Sequence, residues 1–125
     1  MKLRQLTVSY LIACTAHAQT SDVLRTPVAD PRPLLIAAIA SPTGVAHGVL
    51  TGETADVINR KFQSKTPILI DVSTEKRYAQ TGCSRLKVIF WQDDVHLPGA
   101  TAPRKQTIAF GINYCRDGLP PRSLS

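Results

Sequence analysis

The residues whose chemistry would suit a general base are His47 and the aspartates. His47 lies between Gly44 and Gly48, in a loop-like stretch before a predicted helix. Its imidazole would accept a proton efficiently if Asp71 or Asp94 held the ring in position. No sequence motif pairs His47 with a nucleophile, however, and a surface or helix-flanking histidine explains the same residues. A small hydrolase that uses His47 and an aspartate is therefore the alternative interpretation of function.

A second group, Asp93, Asp94 and His96, offers two carboxylates and an imidazole to a metal ion. An aspartate-rich turn after a strand accounts for the same spacing. The chain also lacks a C-x-x-C pair, a P-loop and a G-x-G-x-x-G sequence. We therefore expect no metal and no cofactor.

The serines give no sign of a nucleophile, because none lies in a G-x-S-x-G sequence. Ser73 and Lys76 have the S-x-x-K spacing, but the penicillin-binding fold needs a much longer chain and partner motifs that are absent here. We expect that the protein is not an enzyme.

A set of basic and aromatic residues is the stronger candidate for a binding surface. Alternation along residues 82–91 predicts a β-strand with Ile89 and Trp91 on one face, flanked by cations. An exposed pair of this kind suits a protein partner, and the cations would also attract an anionic polymer. The alternative is that a second layer, such as residues 34–40, covers this face. The predicted partner-binding residues are Arg77, Arg85, Lys87, Ile89 and Trp91.

Two cysteines connect this strand to a second alternating run that ends at Cys115. Two cysteines in an exported domain most often form a disulfide. If Cys83 lies opposite Cys115 in an antiparallel pair, Phe90 lies opposite Ile108 and the apolar faces of the two strands coincide. The sequence therefore predicts a Cys83–Cys115 disulfide and this register.

Periodicity predicts the other elements. Apolar residues at helical spacing predict a helix over residues 52–63, with Thr51 as its N-cap. Residues 68–72 alternate as a strand, and Ser73–Lys76 suggest a turn. The apolar run 34–40 is a buried strand, a short helix or a docking segment, which periodicity alone cannot distinguish. We predict an α+β fold: a small antiparallel sheet of three or four strands, one covering helix and one disulfide.

The N-terminus has the features of an export signal. Lys2 and Arg4 precede an apolar run, and Ala16–Ala18 form an A-x-A cleavage site. The apolar run is shorter than the roughly 20 residues of a transmembrane helix. Alternatively, residues 11–14 resemble a lipobox, which would anchor the protein to a membrane through Cys14. We expect a signal peptide at 1–18, an extended N-terminal segment at 19–43, one α+β domain at 44–118 and a tail at 119–125, in a periplasmic or secreted protein.

The net charge of +6 over 125 residues permits weak contact with anionic surfaces. No basic run is dense enough to indicate specific nucleic-acid binding.

Residues 77–86 (RYAQTGCSRL) and 112–121 (INYCRDGLPP) resemble small exported proteins encoded in the conjugative-plasmid transfer operons of Gram-negative bacteria. The resemblance covers roughly residues 44–122. It implies a periplasmic accessory protein of a type IV secretion or plasmid-transfer system, and it carries no catalytic residue across. We therefore expect a non-enzymatic periplasmic protein that binds an envelope or secretion component.

Overall fold

The computed structural model describes residues 10, 12–13 and 23–125, which form a five-stranded sheet and two helices. The strand order follows the chain, β1-β2-β3-β4-β5, with β1 parallel to β2 and all other neighbours antiparallel. In order, the elements are β1 Thr26–Val28, α1 Arg32–Ala40, β2 Val45–Leu50, α2 Glu53–Lys61, β3 Ile68–Arg77, β4 Cys83–Val95 and β5 Arg104–Cys115. The α+β class is confirmed, but the predicted count of three or four strands is wrong. The strands that were not predicted are β1, which has only three residues, and β2, in which His47 and Gly48 interrupt the apolar pattern. Because β1 is parallel to β2, the sheet is mixed and not purely antiparallel as expected.

The expected N-terminal domain boundaries need correction. Residues 23–43, part of the segment expected to be an extended tether, contribute β1 and α1 to the domain. At the other end, the tail folds back, since the Leu119 carbonyl accepts a hydrogen bond from Cys115 N–H and the Ser125 carbonyl accepts one from Ala79 N–H. The predicted signal peptide and Cys14 lie outside the described residues. Neither helix of the described part has the length and apolar character needed to cross a membrane.

The helix that covers the sheet is α1, formed by the apolar run whose structure the sequence left open. Its buried residues are Leu34, Leu35, Ala38 and Ile39. They pack against the apolar residues of β3 and β4, including Ile70, Val72, Leu86 and Val88, which are fully buried. The run 34–40 therefore contributes these four residues to the core, whereas Ile36 is exposed on the other side of the helix.

The predicted helix at 52–63 is present as α2, but it is not the main cover of the sheet, because Ala55 is its only buried residue. Thr51 is not its N-cap. The Thr51 hydroxyl instead donates to the Val28 carbonyl at 3.2 Å. Gly52 takes the N-cap position with φ of 85°, a conformation that glycine adopts without strain.

The predicted turn at Ser73–Lys76 is wrong, because β3 continues through it to Arg77. A register irregularity between Thr74 and Lys76 shifts the pairing with β4. Such a bulge changes which face the following side chains occupy. The Arg77 guanidinium accordingly reaches the end of α1, where it donates to the carbonyl oxygens of Ile39 and Ser41 at 3.4 and 3.1 Å.

The predicted pairing of β4 with β5 is confirmed. Cys83 lies opposite Cys115 and the two form a disulfide, while Phe90 lies opposite Ile108. The expected burial is found only toward the end of β5, where Ile112 and Tyr114 pack against the core. Ile108 is 67 % exposed and Phe110 is 44 % exposed. Helix α1 is nine residues long and spans about 13 Å, so it covers only part of a 12-residue strand that extends about 40 Å.

Candidate partner-binding face

The sheet has one face covered by α1 and one that no helix or strand of the described residues covers. We call the second the outer face. It carries alternate residues of β2, β3, β4 and β5, and most of them are half-buried or exposed. The possibility that residues 34–40 cover this face is excluded, because α1 packs on the opposite side.

Asp71 lies near the middle of the outer face and accepts hydrogen bonds from three side chains. His47 lies directly across from it on β2, with Nδ1 at 2.7 Å from Oδ1. The Arg25 guanidinium forms an ion pair with the same oxygen at 2.9 Å. The Trp91 indole N–H donates to the second oxygen, Oδ2, at 2.8 Å. Asp71 thus fixes the positions of groups from three separate parts of the chain.

The electrostatic state of Asp71 follows from these contacts. Partial burial acts to raise the pKa of its carboxyl group, whereas the hydrogen bonds from His47, Trp91 and Arg25 and the charge of Arg25 act to lower it. The lowering effects are larger together, so the pKa of Asp71 lies below its ordinary value of 3.8. Asp71 is therefore ionised at neutral pH and holds its partners by charge-assisted hydrogen bonds.

Two cations lie close to the Trp91 ring. The Arg25 guanidinium carbon lies 5.6 Å from its ring centroid, and the Lys105 ammonium lies 4.4 Å from it. Arg25 also donates to the carbonyl oxygens of Gly48 and Ile70 at 3.1 and 3.2 Å. These contacts restrain the half-buried indole at the surface, next to two cations.

A further cation, Arg85 of β4, lies across the edge strand β5. Its guanidinium fills the space above Gly111, where an added Cβ would lie 2.3 Å from Nη2. Its Nη1 donates to Asn113 Oδ1 at 3.3 Å, and the Tyr78 hydroxyl donates to the same oxygen at 2.6 Å. The absence of a side chain at Gly111 leaves the space that the Arg85 guanidinium occupies.

Four of the five predicted binding residues lie together on the outer face: Arg85, Lys87, Ile89 and Trp91. Arg77 does not join them, because the bulge in β3 directs it to α1. Sequence reasoning missed Arg25 and Lys105. Lys105 had a usable signal, since it continues the odd-numbered face of β5, whereas nothing local indicated that Arg25 reaches Asp71 from 46 positions away.

The structure brings together one pair proposed for catalysis, His47 and Asp71, and leaves Asp94 apart from them. Asp94 is exposed at an irregularity of β4, with φ of 53°. Over the described residues, His47 forms no side-chain hydrogen bond to a serine, threonine or cysteine. In the same part of the chain, no group of three or more His, Cys, Asp or Glu side chains is placed to share a metal ion.

Comparison with known proteins adds no relative. No protein-family model, no curated protein and no solved structure matches this chain.

Proposed function

We propose that this protein is a non-enzymatic, exported accessory protein that binds an acidic surface of a protein in the cell envelope. The partner would be a component of a type IV secretion or conjugation apparatus. The observation that carries the proposal is Trp91, an indole fixed by Asp71 on a sheet face that the described chain leaves uncovered.

Tryptophan and arginine are the residues most enriched among those that dominate binding energy at protein interfaces. Trp91 is suited to this role because its N–H is already bonded to Asp71 and its ring is already in contact with Lys105. Little side-chain freedom remains to be lost when a partner covers it. Ile89 lies on the same face and extends the apolar centre of the surface.

The charge around this centre specifies the partner. Arg85, Lys87 and Lys105 form no ion pair with a carboxylate of the described residues. Three cations around an apolar centre form the arrangement expected of an interface with a polar rim. They favour an acidic partner and accelerate its association at low ionic strength.

Affinity capture from Gram-negative envelope extracts tests the proposal. The full chain serves as bait beside a Trp91→Ala variant and an Ile36→Ser control, which changes an exposed apolar residue of α1. We expect the wild type and the control to capture the same envelope protein, and Trp91→Ala to lose at least about tenfold in recovery. Equal recovery by all three baits would show that Trp91 is not in the binding surface.

A small envelope hydrolase is the second candidate, favoured by the 2.7 Å contact between His47 and Asp71. That pair would suit general-base catalysis if a nucleophile or a water molecule approached the other ring nitrogen. Asp71 is shared with Arg25 and Trp91, however, as expected of a structural hub. Hydrolysis of ester or glycan substrates that disappears in His47→Ala and persists in Trp91→Ala would favour the enzyme over the binding protein.

Binding of an anionic polymer through Arg85 and Lys87 would give a third outcome. Its signature is an affinity that falls steeply and linearly with the logarithm of salt concentration. A protein interface centred on Trp91 depends less on salt, so a salt titration of the captured complex separates the two.

A further inference from the structure

Strand β5 forms one edge of the sheet, and beyond its first two residues, Arg104 and Lys105, its own sequence has none of the usual features that prevent edge strands from pairing. From Gln106 to Cys115 it contains no charged residue and no proline, and its pairing with β4 is regular over this stretch. Proteins normally protect long edge strands with charges, prolines or bulges, because an open edge recruits another strand. An unprotected edge ten residues long therefore points to a strand partner.

The backbone groups on this edge can be assigned. The Arg116 N–H donates to the Gly82 carbonyl across the β4–β5 pair, and the Cys115 N–H points away from β4 to the Leu119 carbonyl. Because outward and inward groups alternate along an antiparallel strand, the odd-numbered residues of β5 direct N–H and C=O away from β4. Those residues are Thr107, Ala109, Gly111 and Asn113, and within the described residues no strand pairs with them.

The apolar side chains of the same edge are exposed beside a groove. Ile108 and Phe110 lie on the helix side of the sheet, and the Phe110 ring stacks on Phe90 with centroids 6.2 Å apart. The groove has a volume of about 310 Å³ and runs between β5 and α2. Its apolar lining includes Ile58, Phe62, Ile68, Phe90, Val95 and Ile108.

We propose that a second copy of this chain occupies the edge, with the two β5 strands paired antiparallel about a two-fold axis at Ala109. In this register Ile108 of each copy lies opposite Phe110 of the other. The strand is therefore complementary to itself: its exposed apolar residues meet each other, and its small residues Ala109 and Gly111 lie together on the outer face. A two-fold interface requires this kind of self-complementarity.

Charge and hydrogen bonding support the same register. Lys105 lies opposite Asn113 of the second copy, and the two Lys105 side chains are separated by eight residues of strand, about 27 Å. That distance exceeds the screening length of roughly 8–10 Å, so the two Lys105 side chains do not oppose pairing. Exchange of the outward groups from residue 105 to residue 113 gives roughly ten hydrogen bonds, comparable to a typical interface.

Pairing in this way creates a continuous ten-stranded sheet. The two outer faces then lie side by side on one surface, each with its own Trp91. The dimer does not rest on the proposed function, because Trp91 and Lys87 lie outside the paired edge; Lys105 is the one cation that belongs to both surfaces.

Sedimentation equilibrium of the exported protein tests the dimer. We expect the wild type to have twice the chain mass, and Ala109→Pro to have the mass of one chain. The N–H that proline removes faces away from β4, so the β4–β5 ladder is kept. Ala109→Val is the matched control, since it changes the side chain, keeps the N–H and should remain a dimer. Ile108→Lys gives the same test without a backbone change, at a residue that is 67 % exposed in one chain.

A wild type that stays monomeric up to millimolar concentration would overturn the proposal. A dimer that survives both Ala109→Pro and Ile108→Lys would overturn it as well, because the contact would then lie elsewhere. A monomer that captures an unrelated extended peptide along β5 would assign the edge to a different partner and also overturn it.

Discussion

Replacing Cys83 and Cys115 together with alanine removes the covalent bond between the start of β4 and the end of β5. The two residues are 32 positions apart and both are buried. In the folded state, the long β4–β5 pairing already holds the two strands together. The main effect of the bond is therefore on the unfolded chain, which the disulfide prevents from expanding.

The size of the effect follows from the length of the closed loop. For a separation of 32 residues, the chain-entropy relation gives roughly 3.7 kcal/mol at 25 °C. A domain of about 100 residues loses roughly 4–8 °C of melting temperature for each kcal/mol. The double variant should therefore melt about 15–30 °C below the wild type. Since small domains have a total stability of only about 5–15 kcal/mol, this loss removes a large share of it.

Urea unfolding followed by circular dichroism measures the difference directly. The matched control is the wild type in reductant, which should lose the same free energy of unfolding because it lacks the same bond. A loss below about 1 kcal/mol in both samples would refute the reasoning, since it would mean that the bond hardly restricts the unfolded chain.

Three further variants test the contacts of Asp71, the packing of α1 on the sheet, and the contact that Arg77 makes after the β3 bulge. Asp71→Asn should lower stability by about 1–3 kcal/mol at pH 7, because Arg25 loses its charged partner. The pKa of Asp71 is lower in the folded state than the unfolded value of 3.8, so the ionised carboxylate contributes its full stability above pH 3.8 and loses it as the pH falls through the folded-state pKa. Urea unfolding of the wild type and Asp71→Asn at decreasing pH should therefore show the difference in their free energies of unfolding shrink. Gly48→Ala should cost about 1–3 kcal/mol in thermal or urea unfolding, because the new Cβ would lie 2.5 Å from Leu34 Cδ1. Arg77→Ala should lower stability by about 1 kcal/mol, because the carbonyls of Ile39 and Ser41 at the C-terminal end of α1 lose a donor; it should leave partner capture unchanged.

Each variant has a contradicting result. A pH-independent difference between Asp71→Asn and wild type would mean that the carboxylate is not the stabilising species. A neutral Gly48→Ala would show that α1 can shift on the sheet without loss. If Arg77→Ala kept its fold but no longer captured the partner, Arg77 would have to be part of the binding surface.

The pairing of β4 with β5 was predictable because two independent constraints required one register. The disulfide fixed Cys83 opposite Cys115, and the period of two placed Phe90 opposite Ile108. A register shift by one residue would have separated the apolar faces, so the prediction had little freedom. The same parity put Ile89 and Trp91 on one face with Arg85 and Lys87.

Other features of the fold depend on contacts between distant segments, which the periodicity of the sequence does not indicate. Residues 34–40 are apolar on almost every side, so the pattern did not distinguish a helix from a strand. The bulge between Thr74 and Lys76 places Arg77 on the opposite face of the sheet, and no residue in this stretch indicated that a bulge would form. Ile108 matched a core pattern but is exposed, because coverage depends on the length of α1 rather than on the strand's own sequence.

For the candidate site, the sequence predicted which β4 residues share a face, but it did not predict the residues from other segments that contact them. Trp91 was found from the alternation of β4. Its contacts with Arg25, Asp71 and Lys105 join four separate segments, and long-range contacts of this kind follow only from the complete sheet.

Site-specific photo-crosslinking in living cells tests the central claim, partner binding through the outer face, most directly. A photoreactive amino acid replaces Lys87, which is exposed on the outer face, or Ile36, which is exposed on α1 and serves as the matched control. We predict that position 87 forms a covalent adduct with one envelope protein, that Trp91→Ala abolishes it, and that position 36 forms none. No adduct at position 87, or the same adduct at both positions, would contradict the account.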